Sequence, residues 1–198
     1  MNAQLTPKDL ALMKIEKFKI VAPAEKYADQ MTDFVNELRR ENRNNRTEDP
    51  WLREIEAEFS RQPGGSEKLE GVKLLVRTND DHVVGLHCVR DDMDAKKLED
   101  LGGNISYMIR PSERRKGYNK INMYIALKEC AKLGLPTITL ICDESNRAAS
   151  RSIRAMGGRM VTTFFDRDGM GLRFEKYIVN VKDAILSYAP IFEYLIEE

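Results

Sequence analysis

The residues best suited to chemistry lie in one run, MIRPSERRKGYNKI from Met108 to Ile121, where a proline, the cations Arg114, Arg115, Lys116 and Lys120 and a lone glycine, Gly117, immediately precede a helical pattern. The start of a helix exposes backbone N–H groups that have no intrahelical acceptor and carries a partial positive charge. A glycine there lets an anion approach the backbone unobstructed, and Arg and Lys add charged donors. The chemistry assembled is recognition of a di- or polyphosphate. Residue type alone also allows a plain surface turn with solvated cations. Spacing excludes two familiar phosphate motifs: no GxxxxGK[ST] is present, and RKGYNK holds one glycine where a dinucleotide fingerprint needs three.

Such a turn needs a strand before it and a helix after it. NISYMIRP reads as the strand; after Gly117, Met123, Ala126, Leu127, Cys130 and Leu133 line one helical face, and GLP stops that helix before the apolar strand TITLIC. Asn146 is placed to cap a further helix carrying Ala149, Ile153 and Met156 inward, closed by Gly157 and Gly158 ahead of the strands RMVTTFF and LRFEKYIVNV. Upstream, Thr6-Pro7 opens a short helix over 7–16 and FKIVAP reads as a strand. Tyr27, Met31, Phe34, Val35 and Leu38 form an amphipathic stripe, and Asp49-Pro50 opens a second short helix. VKLLVRT and HVVGLHCVR make a hairpin around NDD, followed by a charged excursion over 91–103. The tail, 182–198, is helical with Ile185, Tyr188, Phe192 and Leu195 on one face and an expected interruption at Pro190. That face is covered either within the chain or at a homodimer seam.

At 198 residues and 42% hydrophobic content the chain supports one domain over 1–181, with a core of about 18–181 and a helical extension over 182–198. Lys plus Arg and Asp plus Glu are both 32, so no global field favours nucleic acid, an anionic membrane or an acidic partner. Cys88, Cys130 and Cys142 lack CxxC or metal-ligand spacing and read as buried thiols, with neither a disulfide framework nor a metal site. No apolar run reaches the roughly 18 residues of a membrane span and no signal-peptide core is present, so a cytoplasmic protein is expected.

The order of strand, basic turn, helix, strand and Asn-capped helix resembles the GNAT superfamily of N-acetyltransferases. RRKGYN, Arg114 to Asn119, is similar to its acetyl-CoA signature R/Q-x-x-G-x-G/A, and NRAASRSIRAMGG to its second motif. GGNISYMIRPSERRKGY most resembles a group of bacterial predicted acetyltransferases within it. The resemblance implies an α/β fold with a mixed, mostly antiparallel central sheet flanked by helices. It implies acetyl-CoA as acyl donor, with amides from Arg114 through Lys116, Gly117 and Tyr118 to Asn119 wrapping the pyrophosphate, Lys120 nearby, Met108 and Ile109 pairing with the pantetheine arm, and Asn146 contacting the donor. Asn119 departs from the pattern, since a side chain stands where the family has Gly or Ala.

Acetyl transfer needs a neutral amine, stabilisation of charge developing on the carbonyl oxygen, and a departing thiolate. The family's frequent Glu falls here on Gly103 or Asn104, and its frequent Tyr on Ile153. Neither Gly nor Asn accepts a proton, and Ile153 continues an apolar face. The remaining candidates for a catalytic role are His87, Asn104 and Asp143, with Glu99 and Asp100 in the excursion. For His87 and Asp143, residue type favours structural duties. The implied activity is acetyl transfer to a primary amine of a small molecule or peptide by direct attack on the thioester. The alternative, suited by the missing Glu and Tyr, is a non-catalytic acyl-CoA-binding regulatory module.

Overall fold

The computed structural model describes residues 16–42, 71–91, 94, 102–165 and 171–197. The helices expected over 7–16 and after Asp49, and most of the 91–103 excursion, lie outside the described residues. Four strands, β1 (Phe18–Val21), β2 (Val72–Arg77), β3 (His82–Val89) and β4 (Ile105–Ile109), form an antiparallel sheet in chain order. A second antiparallel sheet places β7 (Arg173–Asn180) between β5 (Thr137–Asp143) and β6 (Arg159–Phe165). Among the described residues four α-helices flank them: α1 (Ala28–Asn42), α2 (Tyr118–Lys132), α3 (Arg147–Ala155) and α4 (Val181–Phe192).

The two sheets meet at an isolated antiparallel bridge between Gly103 and Leu140. Asn104 N donates to Thr139 O at 2.8 Å and Ile141 N to Gly102 O at 3.0 Å. The approach is close because residue 103 lacks a side chain: with φ at +101°, a Cβ there would lie 2.3 Å from Thr139 O. Asn104 completes the joint, its Oδ1 accepting from Thr139 N at 2.8 Å and its Nδ2 donating to Arg90 O at 3.0 Å. Past this joint, among the described residues, no strand pairing connects β4 with β5, and the facing edge of β4 is open.

The stripe on α1 buries as its spacing predicts, with Met31, Phe34, Val35 and Leu38 packed on Leu74, Val76, Val83 and Leu86 of β2 and β3. Helix α2 is more deeply sunk than its single predicted face: Tyr118, every residue from Ile121 to Leu127, and Cys130 are buried. Sheet strands cover one side of it and α4 the other, so both faces lose water. Pro190 does not interrupt the tail; α4 runs through it to Phe192. The proline sits in the last turn, where its missing N–H forfeits one ladder bond and little helix remains to be kinked. Tyr188, Phe192 and Leu195 are covered within the chain and Ile185 partly so, which answers for the apolar face of the tail. Cys88, Cys130 and Cys142 are buried thiols outside any disulfide. Among the described residues no helix is long and apolar enough to cross a membrane.

Candidate functional site

The basic turn is held from behind by carboxylates rather than left as a spray of free cations. Glu113, 7% exposed, accepts from Lys116 Nζ at 2.7 Å and Arg77 at 3.1 Å. Arg77 also donates to the Tyr118 hydroxyl at 3.1 Å, which in turn donates to Glu16 at 2.6 Å. Helix α1 contributes two residues one turn apart: Glu37 receives Arg110 Nε at 2.6 Å and Ser112 N at 2.9 Å, and Glu41 receives Arg114 through both oxygens at 2.5 and 2.6 Å. Burial alone would raise the Glu37 carboxyl, but the Ser112 amide and the Arg110 guanidinium outweigh it and hold it below its ordinary value. Arg114 Nε donates to Ile109 O at 3.0 Å, so the Arg114 and Lys116 side chains brace the turn. Behind these cations the turn's backbone runs into the start of α2.

That backbone is shaped for an anion. Gly117 precedes the helix with φ at +95°, and Arg115 is also left-handed at +65°. Lys120 N bonds Gly117 O at 3.1 Å, closing the first turn. The amides of Gly117, Tyr118 and Asn119 head the helix without intrahelical acceptors, as the first amides of any helix do. The Asn119 side chain is partly buried. Its Oδ1 is buried, and its carboxamide lies close to the hydroxyl of Tyr107 on β4.

The strand beside this helix start has its own donors. Arg110 N donates to Val84 O at 2.9 Å and Arg90 N to Asn104 O at 2.8 Å, which sets the β3–β4 ladder at both ends. With the register Leu86 to Met108 and Cys88 to Ser106, the alternation of antiparallel bonding turns the N–H groups of Met108 and Ser106 toward β3. Those of Ile105, Tyr107 and Ile109 face the open edge. Of the two strand residues expected to meet the donor arm, Ile109 therefore offers its amide to the gap while the amide of Met108 is committed to the sheet. Tyr107 was not singled out by sequence; its place two residues before Ile109 on one strand edge was the signal that could have found it.

Of the residues considered for proton transfer, Glu99 and Asp100 lie outside the described residues and the others are engaged structurally. Asn104 is the joint described above. His87 is fully buried between β3 and α2, its Nδ1 2.7 Å from Asn122 Oδ1 and its Nε2 3.4 Å from Glu129. Asn122 also donates to Leu86 O at 2.9 Å. Asp143 accepts from Ser145 N at 2.7 Å in the turn into α3, and Asn146 caps that helix by accepting from Ala149 N at 3.0 Å. Ile153 is core, 1% exposed. Burial, with Glu175 and Asp143 adding to it, pushes the Cys142 thiol up to about 12, so it is no nucleophile near neutrality. A buried carboxylate unremarked in the sequence, Glu175 on β7, accepts from the Tyr177 hydroxyl at 2.5 Å, and that hydroxyl is 2.8 Å from Ser150 on α3. The arrangement can hold a phosphate-headed chain along a strand edge and polarise a carbonyl there with backbone amides.

A family model described as Acetyltransferase (GNAT) family matches residues 31–157. No curated protein sequence matches the chain. Among solved structures, a GNAT-family acetyltransferase from Bacillus anthracis superposes with a TM-score of 0.61 at 14% identity, over 85% of this chain and 98% of that one. The acetyltransferase yncA from Salmonella typhimurium, solved with its cofactor acetyl-CoA, gives 0.54 at 15% identity, over 83% and 94%. The microcin C7 self-immunity acetyltransferase MccE, in complex with acetyl-CoA and AMP, gives 0.59 at 13% identity, over 89% and 98%.

Proposed function

Because the chain belongs to the GNAT acetyltransferase family, we propose that it transfers an acetyl group from acetyl-CoA to a primary amine of a small molecule or peptide. The observation that carries the reading is the meeting of two donor sets: the helix-head amides from Gly117 to Asn119 and the open edge of β4 with the N–H groups of Tyr107 and Ile109. The first set suits a diphosphate and the second an amide-bearing arm that ends in a thioester carbonyl. The residues present fit acetyl-CoA: Gly117, Tyr118 and Asn119 would hold its diphosphate, with Arg115 and Lys120 near it, and the Ile109 edge its arm. Acetyl-CoA supplies an activated acyl carbon and a thiolate that leaves without an obligatory acid, a thiol having a pKa of about 8.5. The amine nitrogen bonds to the acyl carbon, the carbon–sulfur bond breaks, and the proton of the amine passes to water. The outward amides of β4 stabilise the charge developing on the carbonyl oxygen. Three buried thiols and acetyl-CoA as donor suit a cytosolic place of action.

Turnover of acetyl-CoA over an amine panel, read as free thiol, tests the activity. A protein that binds acetyl-CoA but transfers to none of the amines would favour the regulatory alternative, which the engaged states of Asn104 and Ile153 already suit. By calorimetry, Arg115→Glu weakens acetyl-CoA binding about tenfold or more, the loss of one charge-assisted contact being worth about 1.5–3 kcal/mol. Lys116 is left in place in that variant because its ammonium neutralises buried Glu113. Absence of wild-type binding at millimolar acetyl-CoA would refute the reading.

With the candidate bases among the described residues structurally engaged, the rate should follow the neutral fraction of the amine. It rises about tenfold per pH unit below an alkyl-amine pKa of about 10.4. Asp143→Asn and His87→Gln, in folded protein, each lower the rate by less than about a hundredfold, the lower limit for losing a general base. A larger loss, with a plateau at lower pH in the wild-type profile, would identify that side chain as the base.

A further inference from the structure

The free protein leaves two neighbouring polar atoms unsatisfied beside the helix head. The Tyr107 hydroxyl and Asn119 Oδ1 are both buried without a hydrogen-bond partner, a state shared among the described side-chain atoms only with His87 Nε2. The Asn119 carboxamide lies near enough to the phenol to oppose the rise in its pKa, but neither Tyr107 Oη nor Asn119 Oδ1 has a partner in hydrogen-bond geometry. Burial, with Cys142 of β5 nearby, raises the Tyr107 phenol, which keeps it protonated and able to donate. A buried donor and a buried acceptor without partners cost their desolvation and return nothing, so such groups in a folded protein call for an explanation. Both lie where the proposed ligand would pass: Asn119 is the second residue of α2 in the anion turn, and Tyr107 has its own N–H on the open edge of β4.

We infer that Tyr107 and Asn119 form a paired polar contact for the acyl donor, the phenol donating to an oxygen of the donor molecule and Asn119 Oδ1 accepting from an amide N–H of its pantetheine arm. The oxygen belongs either to an amide carbonyl of the pantetheine arm or to the adjoining phosphate; both are acceptors and both suit a protonated phenol. The inference rests on the acetyl-CoA reading above and assigns to this chain a contact made by side chains rather than by the amides of the turn. Asn119 then has a use at a position where a smaller residue would leave Tyr107 alone.

The test separates a ligand contact from an internal structural bond. Tyr107→Phe and Asn119→Ala are compared with wild type by thermal denaturation without ligand and by calorimetry with acetyl-CoA. Removing an unsatisfied group should leave the melting temperature of the free protein unchanged or higher, while the Kd for acetyl-CoA rises about five- to tenfold in each variant, as for one lost hydrogen bond. The double variant should lose less than the product of the two single effects, since the groups act together. Competition by acetyl-pantetheine, which ends before the diphosphate, and by acetyl-4′-phosphopantetheine, which adds the phosphate adjoining the arm, identifies the oxygen: a loss of affinity in Tyr107→Phe for both fragments places it on the arm, and a loss for the phosphorylated fragment alone places it on the phosphate. A lower melting temperature for free Tyr107→Phe with unchanged acetyl-CoA affinity would overturn the inference and make the pair structural. Failure of the wild type to bind acetyl-CoA would overturn the proposed function first, and this contact with it.

Discussion

A chain ending at Val181 should not fold. The segment removed buries Ala184, Tyr188, Ile191, Phe192 and Leu195 against the main core. At about 1.5–3 kcal/mol for each large side chain, the four beyond Ala184 amount to about 6–12 kcal/mol, the size of the whole stability of a typical domain. The tail also bridges parts of the molecule distant in sequence. Phe192 packs on Tyr124 of α2 at a centroid separation of 5.8 Å and stacks on Tyr188 at 5.5 Å. The Tyr188 hydroxyl donates to Ala155 O at the end of α3, Lys128 meets Glu193 at 2.5 Å, and Glu197 N donates to Phe18 O at 2.7 Å on β1. Circular dichroism and thermal denaturation of the truncated chain check this directly. Phe192→Ala gives a graded version, with an expected loss of about 3–5 kcal/mol, or about 6–20 °C at about 2–4 °C per kcal/mol. A truncated protein that melts cooperatively at the wild-type temperature would show that the tail is dispensable.

Gly103→Ala should lower stability by about 3 kcal/mol or more, a fall of about 6–12 °C in melting temperature. Two costs combine. A left-handed backbone with a Cβ loses about 1–2 kcal/mol, and φ at residue 103 is +101°. The new carbon would also stand 2.3 Å from Thr139 O and 2.9 Å from Leu140 Cα, both backbone atoms that cannot turn aside. Those atoms belong to the joint between the sheets, so relief requires β4 and β5 to part. Gly103→Glu, the substitution that would place a carboxylate where the family often has one, should be worse still, destabilising the fold instead of installing a base. A folded Gly103→Ala protein with wild-type melting temperature would mean that the joint yields more easily than its contacts imply.

The basic turn illustrates what spacing can and cannot convey. Its position, the left-handed need at Gly117 and the helix that follows are local properties, and they were legible from a proline, a glycine and an apolar stripe. The use of its cations was not. Arg114 and Lys116 read as ligand donors, whereas Glu41, 73 residues away, engages the first and buried Glu113 the second. A charge run looks the same in sequence whether its counterions are a ligand or the chain's own carboxylates.

The candidate bases teach the same point from the other side. His87 was legible as a strand residue and a candidate base, yet Asn122 and Glu129 on α2 enclose it. Asn104 was read as the place of a missing carboxylate, and it proves to be a peptide-like rung between two sheets. Tyr107 passed unnoticed because one aromatic on a strand carries no periodic signal, and its importance depends on which of its neighbours bond to β3.

By itself the sequence determined the order of the described elements, the place of the basic turn, the core faces of α1 and α3 and the apolar face of the tail, because each follows from periodicities of 2 or 3.6 and from the backbone freedoms of Gly, Pro and Asn. Only the tertiary structure decided that the sheet divides at Gly103, that the edge of β4 beyond it stays open, and which amides line that edge. Register and hydrogen-bond parity are properties of a pair of strands, set by contacts across 35 residues or more between Asn104 and Thr139, and neither strand carries them alone.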